Sequence, residues 1–194
     1  MKRVCVFAGS SEGVREEYAA AAGSLAKALV SRRLGIVYGG GAVGLMGVLA
    51  DKALEETGEV IGVIPRALLE RGIAHEGLTE LRIVPSMHAR KAQMAELSDA
   101  FVVLPGGSGT LEEFLEILTW TQLGIHTKPV GLINVAGYYD KLLRFFDQSV
   151  REGFLQEQNR NMLLVENCPE ALLDRLENYE SPAVRKWTDS VGKS

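Results

Sequence analysis

Cysteine is scarce in this chain of 194 residues: only Cys5 and Cys168 are present, too few for a disulfide scaffold. Cys5 falls inside an apolar strand pattern, so a reducing, cytoplasmic setting is expected. Histidine is nearly as rare. His75, His88 and His126 show no ligand spacing with one another or with the cysteines, and no metal is expected. No apolar run approaches the ~18 residues of a membrane-spanning helix. The opening MKRVCVFAGSS turns polar too early for a signal peptide. Dense runs of lysine or arginine are missing too, and the net charge is −4, which argues against nucleic acid or an anionic membrane as main partner. No repeat and no linker divides the sequence. One domain over residues 1–180 is expected, followed by a polar, loosely held C-terminal tail over 181–194.

What the chain does have is glycine, 21 residues of it. Much of it gathers directly after short apolar runs that read as buried strands. Arg3 to Ala8 precedes Gly9-Ser10-Ser11-Glu12-Gly13, and Ile36 to Tyr38 precedes Gly39-Gly40-Gly41. Further strands are expected at Val60–Ile64, Leu81–Val84, Ala100–Leu104, Val130–Ile133 and Met162–Val165. Amphipathic helices alternate with them, from about Arg15, Gly44, Ser86, Thr110, Tyr138 and Pro169. Between Arg66 and Glu80 the pattern fades into what reads as a mobile excursion. Alternation of this kind predicts an α/β fold, a Rossmann-like doubly wound parallel sheet with helices on both faces. In such a sheet the glycine loops emerge together at the carboxyl edge, where open α/β sheets bind ligands.

The most informative stretch is DAFVVLPGGSGTLEEFLEILTWTQLG, Asp99 to Gly124. A buried strand runs into a glycine turn and then at once into a helix, with Thr110 as its expected N-cap. The unpaired N–H groups and the positive dipole end of that helix suit an anion, most often a phosphate. No Lys-Ser/Thr pair follows, so this is not a Walker A loop, and the glycine spacing is not that of the dinucleotide fingerprint. Thr110-Leu111-Glu112-Glu113 also reads as a capping box, in which Glu113 reaches back to the Thr110 N–H. Along the same helix Leu111, Phe114, Leu115 and Leu118 make one apolar stripe, with Ile117 and Trp120 nearly opposite, on the side of Glu113. The second stripe needs a cover, from the same chain or from another copy. A second candidate is Ser86 to Met94, where Arg90 and Lys91 place cations in the early turns of a helix. The macrodipole disfavours them there, which suggests an anionic partner close by.

Pro105 to Glu113 resembles the PGGxGTxxE signature of the LOG (Lonely Guy) family, and Met87-His88-Ala89-Arg90-Lys91 is similar to its MHxRK motif. The likeness extends over roughly residues 3–165, through Gly9-Ser10-Ser11, Tyr38 to Gly41, Gly44 to Gly47 and Thr119 to Leu132. The family consists of cytokinin-activating phosphoribohydrolases, which release the base from purine riboside 5′-monophosphates and leave ribose 5-phosphate. The resemblance implies Arg90 and Glu113 as the catalytic pair. It implies nucleotide contacts from Lys91, Gly106, Gly107, Ser108, Gly109, Thr110, Leu111 and Glu112, with Gly9, Ser10 and Thr119 as further substrate contacts. It implies no cofactor and a homodimer whose active sites lie near the subunit interface. Gly72 stands where relatives carry an acidic residue, so both a prenylated adenine and plain AMP remain open as substrates. A non-catalytic nucleotide carrier or sensor is the alternative. The older family label of lysine decarboxylase finds no Schiff-base lysine here, since Lys91 sits in another motif.

Overall fold

The computed structural model describes residues 1–181, so the expected tail, apart from Ser181, lies outside the described residues. Seven strands form one sheet: β1 (Arg3–Phe7), β2 (Gly35–Tyr38), β3 (Val60–Pro65), β4 (Glu80–Val84), β5 (Ala100–Val103), β6 (Val130–Ile133) and β7 (Leu163–Glu166). Their order is β4-β3-β2-β1-β5-β6-β7, and every neighbouring pair is parallel. This is the expected α/β architecture. Because both faces are covered, the inner strands read as nearly continuous apolar runs rather than alternating ones, whereas the edge strand β4 (ELRIV) is largely exposed. Within β1, Val4 and Val6 enter one core while Cys5 and Phe7 enter the other.

Helices α1 (Glu16–Ser31), α2 (Gly44–Glu55) and α8 (Pro169–Glu177) close the first core. Helices α4 (Met87–Leu97) and α5 (Ser108–Gln122) close the second. Leu142, Leu143 and Phe146 of α6 (Asp140–Arg151) pack on that second core, although no residue of α6 is fully buried. Two single-turn helices, α3 (Arg66–Leu69) and α7 (Glu157–Arg160), and a 3-10 turn at Val135–Gly137 complete the described chain. Among the described residues, no helix is long and apolar enough to cross a membrane.

Connections lead away from β1 in opposite directions, toward β4 on one side and β7 on the other. The crevice between the carboxyl ends of β1 and β5 is therefore the switch point at which such sheets bind ligands. The loops after these strands touch: the Gly9 N–H donates to the Pro105 carbonyl at 3.0 Å. The segment 66–80, expected to be mobile, is tied down. Beyond α3 it folds back on the loop after β2 through an antiparallel bridge between Gly41 and Ala74. The Ala42 N–H donates to the Ile73 carbonyl at 3.0 Å and the His75 N–H to the Gly40 carbonyl at 2.9 Å.

Candidate active site

Helix α5 begins three residues earlier than an N-cap at Thr110 would place it. Gly107 is the N-cap, without a side-chain cap, and Ser108 is the first helical residue. Thr110 is thus not the cap. It lies in the first turn, only 5% exposed, and a β-carbon built on Gly106 would stand 2.1 Å from its Oγ1 and 2.9 Å from the Gly9 nitrogen. Glycine at 106 is what lets this loop close so tightly. The Gly107 carbonyl accepts the first helical bond, from the Leu111 N–H at 3.1 Å. The N–H groups of Ser108, Gly109 and Thr110 then have no partner within the helix. Methyl groups built on Gly107 or Gly109 would meet no protein atom within 4 Å, so this face of the helix end is open.

The capping-box reading of Glu113 also fails, for a tertiary reason. The Glu113 Oε1 accepts a hydrogen bond from an Arg90 Nη1–H at 2.8 Å, joining α5 to α4. Both side chains are about nine-tenths buried, 10% and 11% exposed. Arg90 is fixed at its other side by an Nε–H donated to the Val63 carbonyl at 3.0 Å. Its remaining nitrogen rests on Gly39, where an added β-carbon would fall 2.0 Å from Nη2. The second glycine cluster therefore serves to seat a guanidinium. Burial raises the Glu113 pKa above the ordinary glutamate value, and the charge of Arg90 only partly offsets it.

The cations at the start of α4 find their anionic partners within the protein. Lys91, 6% exposed at its side chain, is paired with Glu112 and lies 2.8 Å from Glu116, both on α5. Burial works against its charge, but the two carboxylates outweigh that and leave its pKa raised. A Ser86 side-chain cap, accepting from the Ala89 N–H at 3.2 Å, starts α4 so that Arg90 and Lys91 both turn toward α5. With these cations already paired, an anion arriving at the α5 N-terminus would meet backbone N–H groups and the helix dipole.

The apolar stripes of α5 also differ from expectation. Its inward face carries Thr110, Glu113, Phe114, Ile117, Leu118 and Thr121, whereas Leu115 is 40% exposed and Leu111 half-buried. Glu113 does lie on the side of Ile117, as expected, but Phe114 and Leu118 share that inward face rather than opposing it, and the glutamate is accommodated there because Arg90 meets it. Of the expected contacts, Gly106 to Thr110, Glu112, Glu113, Arg90 and Lys91 come together at the carboxyl edge. Gly9 joins them through its bond to Pro105, and Ser10 is exposed beside it. Thr119 does not join them. It is exposed about three turns into α5, where its hydroxyl donates to the Leu115 carbonyl at 2.7 Å.

Two tyrosines that hold the carbonyls leading into α5 had no sequence signal. The Tyr138 hydroxyl donates to the Gly106 carbonyl and the Tyr139 hydroxyl to the Leu104 carbonyl, at 2.7 and 2.8 Å. Among the histidines, His75 pairs with Asp51 at 2.8 Å. His126 packs against Phe101 and Trp120, and burial lowers its pKa to about 4.

A parallel sheet with glycine loops meeting at its switch point, and a buried Arg–Glu pair beside an open helix N-terminus, defines a Rossmann-like protein with a ligand site at its carboxyl edge. Residues 46–176 match the family described as "Possible lysine decarboxylase", and the chain belongs to that family, which includes the LOG proteins. It is 52% identical over 178 residues to "Probable cytokinin riboside 5′-monophosphate phosphoribohydrolase LOGL3" of Oryza sativa subsp. japonica, covering 92% of this chain and 84% of that protein. It is 51% identical over 179 residues to "Cytokinin riboside 5′-monophosphate phosphoribohydrolase LOG5" of Arabidopsis thaliana, covering 92% and 78%. The fold is shared with the molybdenum cofactor carrier protein of Chlamydomonas reinhardtii, with a TM-score of 0.70 and 21% identity over 92% of this chain and 99% of that one.

Proposed function

We propose that the protein is a phosphoribohydrolase that cleaves the N-glycosidic bond of purine riboside 5′-monophosphates, cytokinin or adenosine, to give the free base and ribose 5-phosphate. The observation that carries this reading is the buried Arg90–Glu113 pair at 2.8 Å, one turn and a half beyond the open N–H groups of the same helix. Glu113 lies five residues past Ser108, about 7.5 Å along the axis. The 5′-phosphate binds at Gly107 to Thr110, and the ribose then reaches back toward the Glu113 carboxylate.

Breaking the bond moves its electron pair onto the base nitrogen, which takes up a proton, and leaves positive charge on the sugar. A carboxylate beside the anomeric carbon stabilises that charge and accepts a proton from the attacking water. Arg90 holds Oε1, which leaves Oε2 to serve the sugar and the water. Gly106, Leu111 and Glu112 shape the cradle, and Lys91 secures Glu112. Gly9 and Ser10 close its far side. A non-catalytic carrier would need the cradle but not a carboxylate buried against an arginine.

The family likeness at about 50% identity and the exposed apolar side chains Leu115 and Leu123 near or on α5, and Phe145 and Phe154 on or after α6, support a homodimer. Thr119, on the outer side of α5, joins a site only if a second copy's pocket lies against that face. Light scattering at micromolar concentration is expected to give the mass of two chains; a single-chain mass overturns the dimer. Free thiols at Cys5 and Cys168 suit a cytoplasmic protein. The deciding experiment is incubation with purine ribonucleoside monophosphates and chromatography of released bases. Wild type should release base, and Glu113→Gln should bind nucleotide but release none. Wild-type rates from that variant overturn the role given to Glu113.

A further inference from the structure

Three consecutive carbonyls lead into α5, and each is held from outside the loop. Leu104 accepts from the Tyr139 hydroxyl at 2.8 Å, Pro105 from the Gly9 N–H at 3.0 Å and Gly106 from the Tyr138 hydroxyl at 2.7 Å. A trans peptide fixes its N–H antiparallel to its C=O. Pinning the Pro105 carbonyl therefore aims the Gly106 N–H, and pinning the Gly106 carbonyl aims the Gly107 N–H. The Leu104 carbonyl differs, because the next residue is proline and that peptide has no N–H to aim.

Tyr138 is itself held firmly. It follows a turn through Ala136 and Gly137, both at positive φ (49° and 71°). Asn134 staples this turn, accepting from the Tyr139 N–H at 2.8 Å and donating to Asp140 at 2.7 Å. Tyr18 meets the Tyr138 ring edge-on at 5.6 Å. A half-exposed tyrosine in such a mount is well placed to set the orientation of one peptide group at the mouth of the cradle.

We infer that Tyr138 is a positioning residue for the substrate's phosphate: by holding the Gly106 carbonyl, it turns the Gly107 N–H toward the anion bound at the start of α5. The inference rests on the reading of that helix end as the phosphate site. Tyr139, whose bond aims no donor, is the internal control.

The test compares wild type, Tyr138→Phe and Tyr139→Phe with AMP, adenosine and inorganic phosphate. Loss of one aimed hydrogen bond should raise KM for AMP and the inhibition constant of phosphate in Tyr138→Phe by about three- to tenfold, with kcat within about twofold. The dissociation constant of adenosine, which has no phosphate, should not move. Tyr139→Phe should lower Tm yet leave the AMP-to-adenosine preference at the wild-type value. Tyr138→Phe indistinguishable from wild type, or weakened equally toward AMP and adenosine, overturns the inference. So does a Tyr139→Phe that shifts the preference as much. If wild type releases no base but binds AMP, and Tyr138→Phe binds it several-fold less tightly by calorimetry, the enzymatic reading falls and the inference stands. If wild type binds neither AMP nor phosphate, both fall.

Discussion

Replacing Arg90 by methionine keeps most of the side-chain volume and removes the charge that accompanies Glu113 into the interior. The carboxyl is then 11% exposed with no cation at 2.8 Å. It either stays ionised at a cost of several kcal/mol or takes up a proton. Protonation caps the penalty. From an unperturbed value near 4.3, a proton costs about 3.7 kcal/mol at pH 7 and about 1 kcal/mol at pH 5, at 1.36 kcal/mol per unit. The Val63 carbonyl also loses the Arg90 Nε–H, which adds roughly 1 kcal/mol at either pH. Because the raised pKa of Glu113 already costs wild type part of this, Arg90→Met should lower stability by at most about 4–5 kcal/mol at pH 7 and at most about 2 kcal/mol at pH 5, a large part of what a domain possesses. The sign follows from linkage. A carboxyl whose pKa is raised on folding weakens the fold above its unfolded pKa, and the weakening is relieved as pH falls toward that value. Urea unfolding of wild type and variant at the two pH values measures both losses. Adding Glu113→Gln to Arg90→Met should recover most of the pH 7 loss, since no charge is left to bury. An equal loss at both pH values, or no recovery in the double variant, refutes the description of the pair as a buried charge held by its partner.

Two further outcomes follow from the same geometry. Burial raises the Glu113 pKa, and the carboxylate is the working form, so kcat/KM should fall on its acidic side around a pKa above the ordinary ~4.3; a limb at or below that value contradicts the role. In Gly39→Ala the new β-carbon collides only with the end of a flexible side chain, 2.0 Å away, so the fold should survive with a smaller drop in Tm than Arg90→Met. The guanidinium must move, though, and kcat/KM for base release should drop about 100-fold, the usual scale for an ångström of misplacement; wild-type activity would show that Arg90 needs no seat on Gly39.

Much of this protein is legible from residue order alone. The runs Arg3–Phe7, Val60–Pro65 and Ala100–Val103 are apolar because each strand is buried on two faces, and helices between them force a parallel sheet. Glycines after the first, second and fifth strands then had to share one edge. Tertiary structure decided what those glycines do. Thr110 and Glu113 satisfy every local rule for a capping box, and locally nothing opposes it. Only the arrival of Arg90, 23 residues earlier in the chain, takes the carboxylate away. Thr110 meanwhile packs over Gly106, and the helix starts at Ser108. The same holds for Lys91, whose position against the α4 dipole signalled an anion but not that Glu112 and Glu116 would supply it. Tyr138 had no local mark, since an exposed tyrosine beside a turn acquires meaning only from the carbonyl it reaches 32 residues away. Periodicity reports which side of an element is dry, because burial acts on each residue separately. Which charged groups meet there depends on pairs, and pairs are set by how the elements pack.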